Sequence, residues 1–299
     1  MSDFIIDYLV WGAEVFSVPR NLAQSYSDRV TQLLPPEYWD IIKSVKTKAV
    51  AECDQATAKA AWCFETIGRI QDHFIKAFSL MKNDQFYNAW RNLERCEIEI
   101  GFLDPHFQDS GNQFGIEHIR NHVPKFQALF PYKLFLSPAF IVRESRCSIC
   151  KQPFRLRKGC DHKVGEIYNG EICLREITKA ELLEVSLVEN PVQKYSVLFG
   201  PDIKYNYGVV KYVIQGLRSP WQKWDYRRYE IPLEKEPFPG TKRNGPCPCG
   251  SGWEYKECCL RKVKFRVHFE VFFEEPTPED LPSFIEDVKY FVDENTPWL

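Results

Sequence analysis

The sequence has little net charge, no long apolar run and few methionines or histidines. Its 299 residues carry 39 basic and 41 acidic side chains, a formal net charge of −2. The whole chain therefore gives no electrostatic reason to expect DNA or an anionic membrane as the partner. No uninterrupted stretch reaches about 18 apolar residues, the length that a membrane span needs. We expect a protein without a membrane segment.

Short motifs of common enzyme classes are also missing. The chain contains no glycine-rich phosphate loop, no G-x-S-x-G and no H-E-x-x-H, so nucleotide hydrolysis, serine hydrolase chemistry and zinc protease chemistry have no support. The apolar N-terminus lacks a preceding basic region and is interrupted by Asp3, Asp7 and Glu14, which speaks against a secretory signal. We predict a cytoplasmic protein and favour one that is not an enzyme.

The composition is that of a folded globular protein with many cysteines. Hydrophobic residues make up 44% and charged residues 27% of the chain, which is enough apolar material for a sizeable core. Seven of the eleven cysteines fall in two short clusters. Such clustering is typical of metal ligation rather than of a disulfide framework, so we expect a reducing compartment.

Apolar periodicity predicts an α+β protein whose helices come first. Apolar side chains recur at helical spacing over residues 36–82, 84–103 and 115–128, and we expect one break in the first of these, near Gly68. From Phe135 onward, β-branched and aromatic runs replace this spacing. The fold class is therefore a helical N-terminal domain followed by a strand-rich, zinc-stapled C-terminal half.

The strand-rich half has its own predicted elements. We expect strands at residues 207–214 and, from strict alternation, at 263–273, and an amphipathic helix at 278–295. The chain then divides into four parts: a helical domain at 1–140, a strand-rich region with a Cys/His cluster at 141–241, a zinc module at 242–260, and a C-terminal strand and helix at 261–299.

The strongest motif is a set of four cysteines near the C-terminus. Its thiols are spaced C-x-C, eight residues, then C-C, and belong to Cys247, Cys249, Cys258 and Cys259. Four thiolates fill a tetrahedral zinc shell and leave no open position, which is typical of a structural site. Nearby prolines and glycines suit the tight turns that this geometry requires.

This segment, R-N-G-P-C-P-C-G-S-G-W-E-Y-K-E-C-C, resembles the SEC-C motif. That motif is a small zinc-binding module found at the C-terminus of the preprotein translocase motor SecA and in many bacterial proteins. The resemblance covers about residues 242–260 and implies that the four cysteines bind zinc. In SecA the module binds the chaperone SecB through basic side chains. Here Trp253, Glu254 and Glu257 stand where the family usually has lysine or small polar residues, which speaks against a SecB-type partner.

A second cluster consists of a C-x2-C pair and a C-x-H pair that are separated by nine residues. Cys147, Cys150, Cys160 and His162 form a compact four-ligand set, because such short loops order little chain around a metal. Cys173 is a fifth donor that can replace His162. We predict a second structural zinc site and therefore two zinc ions per chain. Isolated core cysteines and a redox-active C-x2-C pair are the alternative interpretations.

Basic residues surround both clusters. Residues 143–163 hold seven lysines and arginines against two carboxylates, and residues 242–266 repeat that ratio. Together with the aromatic and cationic stretch at residues 221–229, this favours a surface for another protein or for single-stranded nucleic acid. A solvated face above core aromatics is the alternative interpretation.

Two histidines raise the question of an active site. His118 and His122 are four residues apart on a predicted helix, hence on one face, with Arg120 between them. Surface or capping histidines are the favoured explanation. Helical domains with a polar arginine and histidine also include nucleases of the HEPN type. The pairs Arg69–His73 and Arg120–His122 have fewer intervening residues than the signature of that family.

From these patterns we expect a bacterial zinc-binding adaptor or binding protein that presents basic zinc modules to a protein or nucleic-acid partner. The rival hypothesis is a HEPN-like nuclease or toxin in a phage-defence setting, with His118, His122 and Arg120 near the chemistry. Convergence of these side chains in a cleft favours catalysis, whereas scatter favours an adaptor. The patterns do not predict the oligomeric state.

Overall fold

The computed structural model divides the chain into two compact units. The first consists of Met1–Ile214 and Arg218–Trp221, and the second of Gln215–Leu217 and Gln222–Leu299. The residues that the structure describes are 6–11, 14–19, 32–155, 159–200, 205–232, 240–248, 253–258, 260, 265–274 and 278.

Four helices form the centre of the first unit: α1 (Pro36–Ala51), α2 (Gln55–Lys82), α3 (Phe86–Leu103) and α4 (Ile116–Leu129). The helices predicted at 84–103 and 115–128 are thereby confirmed. The helix α2 is 28 residues long and buries side chains on most of its surface, which makes it the central element. Its fully buried large side chains each contribute roughly 1.5–3 kcal/mol of hydrophobic stabilisation.

The break between the first two helices lies at residues 52–54, not near Gly68 as the pattern suggested. Asp54 begins α2 as its N-cap, because its carboxylate accepts a hydrogen bond from the Thr57 N–H at 3.0 Å. Gly68 lies inside α2, where a Cβ would come within 2.8 Å of Leu34 and 2.9 Å of Tyr38. The glycine therefore permits close packing against α2 and does not interrupt the helix.

The helical prediction for residues 1–140 is wrong near the N-terminus, where β1 (Ile6–Trp11) and β2 (Glu14–Pro19) form an antiparallel hairpin. The next strand begins at Phe135, where the sequence pattern placed the change to strand character. The hairpin strands are six residues long, too short to show a helical period. Their β-branched and aromatic residues favour strands.

A long antiparallel ribbon follows the helices. It consists of β3 (Phe135–Cys147) and β6 (Arg175–Val188), with register shifts along the pair. A small hairpin, β4 (Ile167–Tyr168) and β5 (Glu171–Ile172), lies between them in sequence. Among the described strands, β3 and β6 form a sheet of two strands only, so most of the ribbon lacks a further neighbouring strand.

The segment predicted as a strand at 207–214 is a helix, α5 (Gly208–Gly216). The Asn206 carboxamide oxygen accepts the Gly208 N–H at 2.8 Å, which forms an Asx turn directly before the helix. A short run of β-branched residues is compatible with a strand and with a buried helix. Here packing in the tertiary structure favours the helix. The buried side chains recur at helical spacing: Val209, Val210, Val213 and Ile214.

The second unit contains a two-stranded antiparallel sheet and the cysteine-rich module. β7 (Trp224–Pro232) pairs with β8 (Phe265–Phe273), which confirms the strand predicted at 263–273. The helix predicted at 278–295 lies almost wholly outside the described residues. Helices in the N-terminal half and strands in the C-terminal half give the α+β fold that the sequence predicted. No described helix combines the length and apolarity that a membrane crossing requires.

Candidate metal centres

The C-x2-C and C-x-H pairs meet at the end of β3. The ligand atoms of Cys147, Cys150, Cys160 and His162 all lie within 4.8 Å of one another. The Cys147 side chain is buried, and the other three are half-buried. Three thiols and one imidazole at this separation match the donor set and size of a tetrahedral zinc site. The structure thus brings together the four residues that the spacing singled out.

A tight turn positions the first pair of thiols. Lys151 adopts a φ of 59°, and its N–H donates to the Cys147 carbonyl at 2.9 Å. The Cys147 N–H in turn donates to the Gln152 carbonyl at 2.9 Å. These bonds fold the chain back on itself, which brings the Cys150 thiol beside that of Cys147.

The surroundings of Cys147 favour its thiolate. Burial opposes ionisation, but the N–H groups of Cys150 and Ile149 and hydrogen bonds with the Cys173 and Cys160 thiols together lower the pKa of Cys147 to about 6. Burial, followed by the proximity of Cys147, raises the pKa of Cys173 to about 11. Because the thiolate is the form that binds metals, the cluster offers a negative charge to a cation.

His162 adds a ring nitrogen to the cluster. Its Nδ1 is shielded from solvent and has no hydrogen-bond partner among the described residues. The ring packs edge-on against Tyr168 with centroids 4.6 Å apart. Buried polar atoms in folded proteins are nearly always partnered. An unpartnered nitrogen beside three thiols therefore fits a metal ligand.

Cys173 offers a fifth donor next to Cys147. Its Sγ lies 3.7 Å from the Cys147 Sγ, and its side chain is buried. Two thiolates on one tetrahedral zinc lie about 3.8 Å apart when each bond is about 2.3 Å long. Both His162 and Cys173, the alternatives left by the spacing, thus lie within reach of a zinc ion beside Cys147.

A tight hairpin fixes the position of Cys173, which follows β5. Asn169 and Gly170 have positive φ values of 51° and 69°, the conformation of a two-residue turn between antiparallel strands. Gln55 of α2 donates to the Asn169 side chain at 2.7 Å. A Cβ at residue 170 would lie 2.4 Å from Lys46 Cδ, so the hairpin approaches α1 this closely only with glycine at its tip.

Further hydrogen bonds attach the cluster to its surroundings. The Ser148 N–H donates to the Leu174 carbonyl at 2.9 Å, and the Ser148 hydroxyl accepts the Leu174 N–H at 2.8 Å. His106, beyond α3, donates to the Gly165 carbonyl at 2.7 Å. The cluster is therefore fixed both to the start of β6 and to the helical part of the first unit.

In the C-terminal cluster the structure describes two of the four predicted ligands. Cys247 is buried and Cys258 is half-buried, whereas Cys249 and Cys259 lie outside the described residues. The nine described cysteines of the chain form no disulfide with one another. Disulfide pairing among them is therefore not what holds either cluster.

The backbone of this module is a short antiparallel bridge followed by a turn. The Cys247 N–H donates to the Trp253 carbonyl at 2.8 Å, and the Tyr255 N–H donates to the Gly245 carbonyl at 2.8 Å. One turn of 3-10 helix then leads from Tyr255 to Cys258. Tyr255 is fully buried, so an aromatic ring fills the interior of this small module.

Three of the seven basic residues around the first cluster are ion-paired in the described structure. Arg143 contacts Glu181 at 2.8 Å, and Arg146 and Lys151 both contact Glu176 at 2.7 Å. These glutamates belong to β6, which antiparallel pairing places beside β3. The count of charges along that stretch of sequence therefore overstates the positive charge that this surface presents.

Two rings of the aromatic stretch at residues 221–229 pack against other side chains or are buried, whereas Tyr229 is 42% exposed. The Trp221 ring lies 5.6 Å from the Phe74 ring and 5.7 Å from that of His118. Trp224 is only 2% exposed. Rings packed in this way do not offer the open faces on which unpaired bases stack.

His118 and His122 are buried, so the prediction of surface or capping histidines is wrong. Their rings stack with centroids 3.9 Å apart. His118 Nε2 donates to the Pro220 carbonyl at 3.0 Å, and His122 Nδ1 donates to the His118 carbonyl at 2.8 Å. The His118 ring packs against aromatic neighbours such as Phe74. Each imidazole donates a hydrogen bond to a backbone carbonyl, as buried polar groups require.

Arg120 lies on the exposed side of the same helix, apart from the buried histidines. It binds Asp104 at 3.0 Å and Glu117 at 3.4 Å. The shallow depression that it lines also contains Asp109 and no histidine. The described structure therefore does not bring the arginine and the two histidines together in a cleft.

A family model for the SEC-C motif matches residues 243–261. This is the segment whose residues suggested that family, so the chain contains a SEC-C motif there; the match covers this segment only. Comparisons with curated proteins and with solved structures gave no match. The motif and the Cys/His cluster together indicate that the protein binds zinc.

Proposed function

We propose that the protein is a zinc-binding adaptor whose SEC-C module binds a protein partner. The observation that carries this proposal is Trp253, which is 63% exposed on the module. Tryptophan is among the residues most enriched at the energetic centres of protein interfaces. A tryptophan ring with this exposure is better explained by a binding partner than by folding.

The surroundings of Trp253 support a protein partner over a nucleic acid. Glu254 and Lys256 form an ion pair at 2.8 Å, and Glu257 is also exposed. Phosphate backbones are held by unpaired cations, whereas the rims of protein interfaces carry mixed charges. The Trp253 carbonyl accepts the Cys247 N–H and Tyr255, two residues later, is buried, so Trp253 lies beside anchored residues.

Bound zinc would supply structure rather than a reaction. The Cys/His cluster of the first unit provides at least four donors to one ion, which closes its coordination shell and leaves no open position for a substrate. Cys147, Cys150 and Cys160 orient the short loops, and His162 or Cys173 completes the set. The role of each centre is to hold loop-rich chain in one conformation.

The rival proposal of a nuclease has weaker support. A metal-independent nuclease needs its arginine and histidine close to the same phosphate, but Arg120 is exposed and ion-paired while His118 and His122 are buried. The geometry therefore favours the adaptor.

Affinity capture from a native lysate tests the adaptor proposal with three full-length baits. They are the unchanged chain, Trp253→Ala, and Val192→Ala, which removes an apolar side chain that is 96% exposed outside the module. We expect partners that survive nuclease treatment and bind the unchanged and Val192→Ala chains but not Trp253→Ala. Equal zinc contents would show that the module is still folded in all three. Capture that nuclease abolishes, or that is equal for all baits, would contradict the proposal.

A further inference from the structure

The ribbon of β3 and β6 has one apolar face. Directly opposed residues of an antiparallel pair project from the same side. The pairs Leu136–Leu187 and Phe140–Leu182 are both wholly apolar. The intervening positions carry mostly polar or small side chains. They include the opposed pairs Ser137–Ser186, Ala139–Glu184 and Ile141–Glu181. The ribbon is therefore amphipathic.

The apolar face is exposed to water, as are Glu181 and Glu184 of the polar face. Its large side chains are between 37% and 64% exposed. With about 130 Å² of apolar surface for one fully accessible leucine side chain, they present roughly 500 Å², the size of the largest and often functional apolar patch on a typical monomer. We call this set the ribbon surface; its members are Leu136, Phe140, Val142, Leu182, Leu183, Val185 and Leu187.

A two-stranded ribbon is a marginal structure on its own. Strands of 13 and 14 residues with one exposed apolar face gain stability when a second layer covers that face. We propose that a second copy of this chain provides the layer, so that two ribbon surfaces stack face to face in a two-fold symmetric dimer. This interface does not include Trp253, and it goes beyond the adaptor proposal.

Three observations favour a second copy over a different protein. The successive opposed pairs of this face are all uncharged, so two copies meet along it without burying a charge; they are Leu136–Leu187, Pro138–Val185, Phe140–Leu182 and Val142–Ala180. Its roughly 500 Å² match the apolar share, somewhat more than half, of the about 800 Å² that each partner buries in a stable interface. The net charge of −2 produces little repulsion between copies. In addition, a second copy of the chain is present wherever the protein is made, so it can cover the apolar face of the ribbon at all times.

Sedimentation equilibrium of the full-length protein across about 0.5–50 μM tests this proposal. We expect the unchanged chain to reach twice the 35.2 kDa of one chain. Leu182→Lys should raise the dimer dissociation constant at least about 100-fold, because two-fold symmetry places both new charges in the interface. Phe140→Lys, on the other strand, should do the same.

The matched control is Thr178→Lys, which adds the same charge on β6 at an exposed position outside the ribbon surface. It should remain dimeric, and equal zinc content and helical circular dichroism should show that all variants are folded. An unchanged chain that stays monomeric over this range, or a dimer that Leu182→Lys and Phe140→Lys leave intact, would overturn the proposal. Neither result would bear on binding through Trp253.

Discussion

Replacing Cys160 by serine removes one donor of the Cys/His cluster and should destabilise the first unit measurably. A zinc ion that joins Cys147 to Cys160 closes a loop of about 14 residues, and the chain-entropy relation gives roughly 3 kcal/mol for such a loop. For a unit of this size, about 2–4 °C of melting temperature corresponds to each kcal/mol. We therefore expect Cys160→Ser to melt about 6–12 °C below the unchanged chain.

The assay combines thermal melting at a helical circular dichroism band with zinc analysis of the same samples. The matched control is Cys53→Ser, since Cys53 is an exposed thiol in the turn between α1 and α2. We expect Cys160→Ser to lose about one zinc per chain, with Cys53→Ser unchanged in both measurements. A Cys160→Ser protein that keeps its zinc and melts like the unchanged chain would refute the reasoning. A lower melting temperature without loss of zinc would instead identify Cys160 as a packing residue.

Three further predictions concern single positions. Gly68→Ala should cost about 1–3 kcal/mol in urea denaturation, because its Cβ overlaps side chains packed on α2. The control Gly101→Ala, whose Cβ meets nothing within 4 Å, should be neutral or slightly stabilising, and equal losses would contradict this account. Asp54→Ala should cost about 1 kcal/mol and Asp54→Asn much less. Hydrogen bonds from Thr57 lower the pKa of Asp54, so its contribution should be complete above its unfolded pKa of about 4 and vanish as the pH falls through the folded value. Cys258→Ser should release one zinc and unfold the SEC-C module while the helical signal remains, and loss of that signal would contradict independent folding of the helices.

The Cys/His cluster was accessible from sequence because its constraints are local. A C-x2-C pair and a C-x-H pair carry their ligands within a short stretch of chain, so spacing alone brings them within reach of one ion. The spacing did not show whether His162 or Cys173 is the fourth zinc ligand. Cys173 reaches the cluster through the β4–β5 hairpin, whose docking on α1 and α2 depends on residues far away in sequence.

Elements whose character depends on tertiary packing were harder to predict. The run at 207–214 is β-branched, which favours a strand, but its burial pattern in the fold is helical. Gly68 suggested a helix break because glycine is a poor helix former, whereas its role is to allow close approach of Tyr38. Neither distinction is contained in a local window of sequence.

Surface properties were the least predictable. The basic stretch around the first cluster is neutralised in part by Glu176 and Glu181, which lie 25 to 38 positions along the chain from the basic residues that they contact. The exposed apolar face of the ribbon depends on the register between β3 and β6. A shift of one residue would turn the opposite set of side chains outward. Register of this kind follows from the whole fold.

Zinc content of the purified, extensively dialysed full-length chain tests the central claim most directly. Mass-spectrometric metal analysis should return about two zinc ions per chain, and a strong chelator should remove them together with the ordered structure of both cysteine-rich segments. A chain that contains no metal after purification and yet has the circular dichroism and melting behaviour of the folded protein would contradict the account.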